Sequence, residues 1–374
     1  MTSGAAPAER FVALDVFRGM TIAGMILANN PGSGAHVYEP LEHASWDGWT
    51  PTDLIFPSFL FIVGASMVFS FAGRQARGDR RAALLRHIVT RSLLIYAIGL
   101  FILGPFIPNF LYGRWPHFET IRLLGVLPRI ALCYLIAAPI VLCTRKRVWL
   151  CVTAGLLLGY WALMTLVPVP GHGAGLLESR EWNLAAYVDR LVLGGHIWRV
   201  SKLWDPEGVL STLPAVATVL LGALGGDYLR QPRRPFEKTT GLFVAGAALL
   251  VAGLAWNRVF PINKSLWSSS FVLFAAGFAF ELLACIYYVV DVRSVRRWAQ
   301  PFVIFGVNPL AAFVLSSFAA VLLYTFNVWG WLYRVLFVSW AGERNGSLAF
   351  AICFLLLWLG VMTLFYRMRV FIRL

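Results

Sequence analysis

The chain has 374 residues, 59% of them hydrophobic and 13% charged, with a mean hydropathy of +0.71. A soluble domain is about half apolar and about a quarter charged, so these proportions exclude a soluble enzyme, and intrinsic disorder with it. The formal net charge of +14 would suggest a nucleic-acid partner in a soluble protein. In so apolar a chain no nucleic-acid partner is expected, and the positive charges are read for where they fall.

Apolar stretches near the ~20 residues that cross a bilayer recur at 11–29, 51–73, 87–104, 121–143, 148–168, 209–229, 239–257, 266–290, 301–324 and 347–366. They predict an all-α integral membrane protein: one domain over 1–374, a bundle of roughly ten transmembrane helices. No cleavage site follows the first stretch, so it reads as a retained span behind a flexible segment, 1–9. Basic clusters occupy alternate connections: Arg74, Arg77, Arg80, Arg81 and Arg86; Arg145, Lys146 and Arg147; Arg230, Arg233, Arg234 and Lys238; Arg293, Arg296 and Arg297; then Arg367, Arg369 and Arg373. By the positive-inside rule this alternation predicts cytoplasmic termini, with 30–50, 105–120, 169–208, 258–265 and 325–346 facing outward. Within the long 169–208 loop, Asn183–Leu193 has the pattern of a short amphipathic helix on the surface. The five cysteines form no C-x-x-C or C-x-H pair and read as small hydrophobes, so neither disulfides nor a metal site are expected.

Ionisable groups inside apolar spans are costly and mark pairs or functional sites. Here they are Asp15, Arg18, Asp53, Arg91, Arg122, Arg129 and Glu281. Asp15 and Arg18 are three apart and can pair on one helix face. Arg122 and Arg129, seven apart, are expected on one face of the fourth span, either against carbonyls and carboxylates or lining a positive cleft for an anionic ligand. The densest polar constellation is Asn29-Asn30-Pro31-Gly32 with His43-Ala44-Ser45-Trp46-Asp47-Gly48-Trp49-Thr50-Pro51-Thr52-Asp53. Thr50-Pro51-Thr52-Asp53 suits a helix start, with Thr50 as cap and Asp53 in the first turn. His43 stands among two carboxylates and an asparagine at a membrane mouth, where a neutral imidazole can take a proton. Further polar clusters are Trp204-Asp205-Pro206-Glu207-Gly208 and Pro261-Ile262-Asn263-Lys264. Asn308-Pro309 is expected to kink the ninth span.

Leu14-Asp15-Val16-Phe17-Arg18-Gly19, His43-Ala44-Ser45-Trp46-Asp47-Gly48 and Asp53-Leu54-Ile55-Phe56-Pro57 together resemble the heparan-α-glucosaminide N-acetyltransferase family of transmembrane acyltransferases. So, in the family's order, do Arg122-Leu123-Leu124-Gly125-Val126-Leu127-Pro128-Arg129, Trp204 to Gly208, Pro261 to Lys264 and Gly306-Val307-Asn308-Pro309. The resemblance runs from about residue 10 to residue 320, and Pro128 stands where the family usually has Gln. It implies acetyl transfer from cytoplasmic acetyl-CoA to an amino sugar across the membrane, by a compact bacterial-type member in the inner membrane, with homodimer formation left open. The resemblance places the active-site histidine at His43 and the asparagine at Asn29, with Asp47 and Asp53 as acidic companions. Arg18, Arg122, Arg129 and Asn308 become candidates for coenzyme A, and Trp46, Asp205, Glu207, Asn263 and Lys264 for the acceptor. No metal is implied. An imidazole can deprotonate the attacking amine or itself carry the acetyl group, and Asn29 can donate to the oxyanion. Broken helices with intramembrane charges also suit a secondary transporter of an amino sugar, although no internal repeat is evident; a non-catalytic membrane scaffold is the third reading.

Overall fold

The computed structural model describes residues 11–102, 111 and 118–372. The flexible segment expected at 1–9 and most of the 105–120 connection lie outside the described residues. Helices account for almost all of the regular structure: α1 Val12–Asn29, α2 Ile55–Ala76 (entered through a 3-10 turn, Pro51–Leu54), α3 Arg81–Ala97, α4 Val126–Cys143, α5 Lys146–Leu166, α6 Leu184–Leu193, α7 Thr212–Arg230, α8 Pro235–Trp256, α9 Ser269–Tyr287, α10 Gln300–Val307, α11 Pro309–Thr325, α12 Val328–Tyr333 and α13 Ser339–Arg367. Among the described residues nine helical segments are long and apolar enough to cross a membrane, or ten when α10 and α11 count as one span bent by 85° at Asn308. The expected kink is therefore a break. Pro309 has no amide hydrogen, and its ring disfavours helical geometry in the residue before it.

The helices form two shells. α1, α2, α4, α7 and α9 are buried over 56–78% of their apolar windows, whereas α3, α5, α8 and α13 are buried over only 17–28% and present apolar side chains outward. That inversion of the soluble pattern is what a bilayer requires, since lipid is as apolar as leucine. Without a hydrophobic drive between helices, association depends on close backbone approach. A Cβ on Gly64 of α2 would sit 1.9 Å from the Val219 carbonyl oxygen of α7, and one on Gly222 of α7 would sit 1.9 Å from that of Phe61. Only glycine permits this paired contact.

Two expectations about local structure meet different outcomes. Asn183 caps α6, its side chain accepting from the Ala186 amide at 2.9 Å, so the short helix forms where the sequence placed it. The fourth span, however, begins at Val126 rather than 121: residues 121–125 lie outside the helix, and Gly125 is extended, with φ 167°. Arg122 therefore stands outside the helix, and Arg122 and Arg129 do not share a helix face.

Candidate functional site

The His43 loop is fastened to the start of α2 by one carboxylate. Asp53 is fully buried. One of its oxygens accepts from the Ala44 and Thr50 amides, both at 3.0 Å, and from the Thr50 hydroxyl at 3.2 Å. The other lies 2.7 Å from His43 Nδ1 and 3.4 Å from Lys264 Nζ. The Thr50 hydroxyl also donates to the Glu42 carbonyl, and that of Thr52 to Pro40, which sets the path of the loop. With Nδ1 donating to the carboxylate, the lone pair of His43 lies on Nε2, and the imidazole is 54% exposed. Lys264 Nζ sits beside the ring, 2.9 Å from Nδ1 and 3.3 Å from Nε2. Burial pushes the Lys264 pKa down, against the opposing charges of Asp53 and Glu207.

Lys264 reaches this point because its loop is tied to the His43 loop. The Gly48 amide donates to the Ile262 carbonyl at 2.8 Å, and the buried Asn263 donates from Nδ2 to Asp47 at 3.2 Å while accepting from the Leu266 amide. Trp46 donates to the Leu177 carbonyl at 3.0 Å and packs edge-on against Trp204. The Trp-Asp-Gly, Pro-Thr-Asp and Pro-Ile-Asn-Lys motifs thus converge on one mouth.

A second cluster lies alongside. Arg122 forks onto Asp205, with Nε 2.9 Å from Oδ2, and its Nη2 also meets Glu207. Burial works against this guanidinium, but the two carboxylates outweigh it and hold the Arg122 pKa above its ordinary value. Asp205 further accepts from the Trp198 and Glu207 amides. Behind it, buried Asp189 accepts from the amides of Asp205 at 3.1 Å and Val209 at 2.8 Å, and burial pushes its carboxyl up to about 6. Arg129 is fully buried, donates to the Gly208 carbonyl and the Ser211 hydroxyl, and stacks over Trp267.

A cavity of about 890 Å³ occupies the core between α1, α2, α3, α4 and the α10–α11 break. The neighbouring helices run antiparallel. Arg18 bonds Ser66 while Gly24 abuts Ile55, and Arg91 covers the Tyr134 ring while Gly99 abuts Pro128. The lining can therefore be sorted by depth. One end carries Arg18, Arg74, His87, Arg91, Arg367 and Arg369; the other carries Met25, Phe59, Ile95 and Val126. On α2 the lining runs from Phe59 to Arg74, a rise of about 22 Å, and its apolar end stops about 9 Å along the helix from Asp53.

The structure therefore brings together His43, Asp53, Lys264, Asp47 and Asn263, with Trp46 beneath them. Arg122, Asp205 and Glu207 form an adjoining closed ionic cluster. Arg18 lines the cavity, pairing with Asp15 at 3.2 Å and donating to the Gly306 carbonyl and the Ser66 hydroxyl. Arg122 and Arg129 are not among the lining residues, since their donors are turned to carboxylates and to the 208–211 turn. Asn29 is exposed at the end of α1, and no hydrogen bond among the described residues joins it to His43. Asn308 is buried and holds the backbone of residues 370–372. Sequence reasoning missed the other basic residues of the cavity. A signal was present: Ser66, Ser70 and Arg74 repeat every four residues on α2, as do His87 and Arg91 on α3, and such spacing puts polar groups on one face.

Apolar helices sorted into two shells, with a buried polar mouth and an internal cavity with a basic end, define a polytopic α-helical membrane protein built around an internal site. Comparison with known proteins narrows the class. Residues 10–180 match the family model described as heparan-alpha-glucosaminide N-acetyltransferase, catalytic. The heparan-alpha-glucosaminide N-acetyltransferase of Homo sapiens is 30% identical, the match covering 82% of this chain and 52% of the human protein. That of Mus musculus is also 30% identical, over 82% of this chain and 53% of the mouse protein. The chain is thus similar to members of the heparan-α-glucosaminide N-acetyltransferase family, and it spans about half the length of these curated relatives.

Proposed function

We propose that this protein is a transmembrane N-acetyltransferase that moves the acetyl group of cytoplasmic acetyl-CoA to the amine of an amino sugar at the periplasmic face of the bacterial inner membrane. The observation that carries this reading is the cavity. Its basic end suits the phosphates of a coenzyme A nucleotide, its apolar end suits a pantetheine arm, and that end lies toward the Asp53 end of α2. Arginine guanidinium groups match phosphate oxygens in geometry and charge. The basic clusters flanking the basic end support a cytoplasmic position for it.

On this reading Asp53 fixes the His43 tautomer, and Nε2 accepts the proton of the amine as its nitrogen bonds to the acetyl carbonyl carbon. The C–S bond then breaks and the proton passes from Nε2 to the departing thiolate or to solvent. Lys264 supplies positive charge beside the carbon whose oxygen becomes anionic. Asp47, Asn263 and Trp46 shape the acceptor mouth, while Arg122, Asp205 and Glu207 brace it. Asn29 is retained as a second oxyanion donor, at the end of α1 nearest that mouth. An acetyl-His43 intermediate is the alternative route, and a burst of thiol without acceptor distinguishes it.

The test is purified protein with acetyl-CoA and glucosamine, following free thiol. Wild type is expected to release thiol in proportion to acceptor consumed, and His43→Ala to lose turnover while still binding coenzyme A. Inverted membrane vesicles are expected to use external acetyl-CoA, and right-side-out vesicles to ignore it. Amino-sugar flux without acetyl transfer would favour a transporter instead.

A further inference from the structure

The segment that follows α13 makes contacts the proposed reaction does not by itself explain. α13 ends in a left-handed reversal. The Met368 amide bonds the Leu364 carbonyl, the Arg369 and Val370 amides bond those of Tyr366 and Phe365, and Arg369 has φ 57°. A side-chain-bearing residue in that conformation costs energy, and glycine is the usual choice for such a reversal. The reversal turns residues 370–372 back across the cavity, where Arg367, Arg369, Phe371 and Ile372 form part of its wall. Asn308 holds them there. Its Nδ2 donates to the Val370 carbonyl at 2.8 Å, and its Oδ1 accepts from the Ile372 amide at 2.9 Å. The residue itself is 1% exposed at the break between α10 and α11. One side-chain amide thus satisfies a donor and an acceptor on a backbone more than sixty positions later.

From this arrangement we propose that Asn308 is a positioning residue: it clasps the 366–372 strap so that Arg367 and Arg369 face the cavity and hold the phosphates of the coenzyme A donor. The inference rests on the reading of the cavity as the coenzyme A site. Asn308 touches no phosphate itself. It fixes two charges that a loose strap would leave turned to solvent, and the arginine at φ 57° keeps its charge where glycine would relieve the backbone. Arg18, Arg74, His87 and Arg91 line the same end and carry the remainder of the phosphate binding.

The experiment is calorimetric titration of the detergent-solubilised full chain with coenzyme A, at low and raised salt. Asn308→Ala is expected to weaken binding roughly tenfold at low salt, the value of one hydrogen bond to a charged group. Its salt slope should be shallower than that of wild type, because fewer phosphate charges are neutralised. Arg369→Gln should give part of that loss, since Arg367 keeps its place, and Arg369→Lys should recover most of that part. The double variant Asn308→Ala/Arg369→Gln should be little worse than Asn308→Ala alone, since loss of the clasp already releases the Arg369 charge. Asn308→Ala that matches wild type in affinity, weakens binding with an unchanged salt slope, or adds independently to Arg369→Gln overturns the clasp. Wild type that binds no coenzyme A overturns instead the reading of the cavity on which the clasp rests.

Discussion

Asp53→Asn isolates the chemistry most cleanly, because it replaces one oxygen by an amide nitrogen of nearly the same size. In the native site the carboxylate accepts two amides and a hydroxyl on one oxygen and faces His43 Nδ1 and Lys264 Nζ on the other. An Asn side chain keeps a single acceptor. If its oxygen stays with Ala44 and Thr50, its NH₂ group points at His43 and donates to Nδ1, which drives the ring proton onto Nε2 and removes the base. If it flips, the NH₂ group opposes two backbone donors and the loop at 42–50 loosens. Either route removes a correctly placed general base, a step that contributes about 100- to 10,000-fold to rate. Thiol release from acetyl-CoA with glucosamine should fall by that factor. The affinity for coenzyme A should hold within about twofold, since the cavity lining on α2 begins roughly 9 Å further along the helix. Stopped-turnover assays paired with calorimetry read the two quantities separately. A folded Asp53→Asn protein that keeps more than about a tenth of wild-type turnover would refute the assignment of His43 as an Asp53-oriented base.

Arg122→Gln should strand the buried carboxylates of Asp205 and Glu207 and cost about 3–5 kcal/mol in unfolding measurements. Arg122→Lys should recover less than half of that, since an ammonium cannot fork onto Asp205; full recovery would show that charge alone matters. Asp189 holds its proton more tightly folded than unfolded, with its carboxyl at about 6 against 3.8. Its contribution is therefore most favourable below about pH 4, and wild type loses about 2–3 kcal/mol relative to Asp189→Asn as pH rises to about 6, then no more. Melting curves of the two proteins that stay parallel from pH 4 to 7 would contradict this. Arg74→Gln and Arg91→Gln should each weaken coenzyme A binding and flatten its salt dependence while leaving the melting temperature within a few degrees; unchanged binding in both would move the phosphates elsewhere.

The span pattern was legible because hydropathy over about twenty residues is a local property that a bilayer enforces directly. The His43–Asp53 neighbourhood was legible for a similar reason. Ten positions separate the two residues, and Thr50-Pro51 announces the turn between them. What is settled between distant segments was not legible. Arg122 and Arg129 share a helical spacing, yet the helix starts only at Val126, and Asp205 and Glu207, more than eighty positions on, claim the Arg122 guanidinium. The basic wall of the cavity was hidden differently. Arg74 and Arg367 stand where the positive-inside rule expects charge on any membrane protein, so counting them for topology absorbed the signal. Arg18 and Arg91 stood out as charges within spans, and the place of Arg91 beside Tyr134 depends on α4 packing against α3.

The broken helix joins these points. An Asn-Pro pair inside an apolar stretch shows from sequence that backbone groups will be freed, and membrane interiors tolerate that only where partners or a cavity meet them. The structure supplies both: the break borders the cavity, and the asparagine that precedes the proline bonds a strap from the end of α13. Arg18 uses the carbonyl of Gly306 just before the break while also reaching Asp15 on α1 and Ser66 on α2. A single discontinuity in one span thereby fixes an arginine from the first helix and a strap from the last around the same opening. A continuous helix at 300–325 would bond the Gly306 carbonyl within itself and take that acceptor from Arg18.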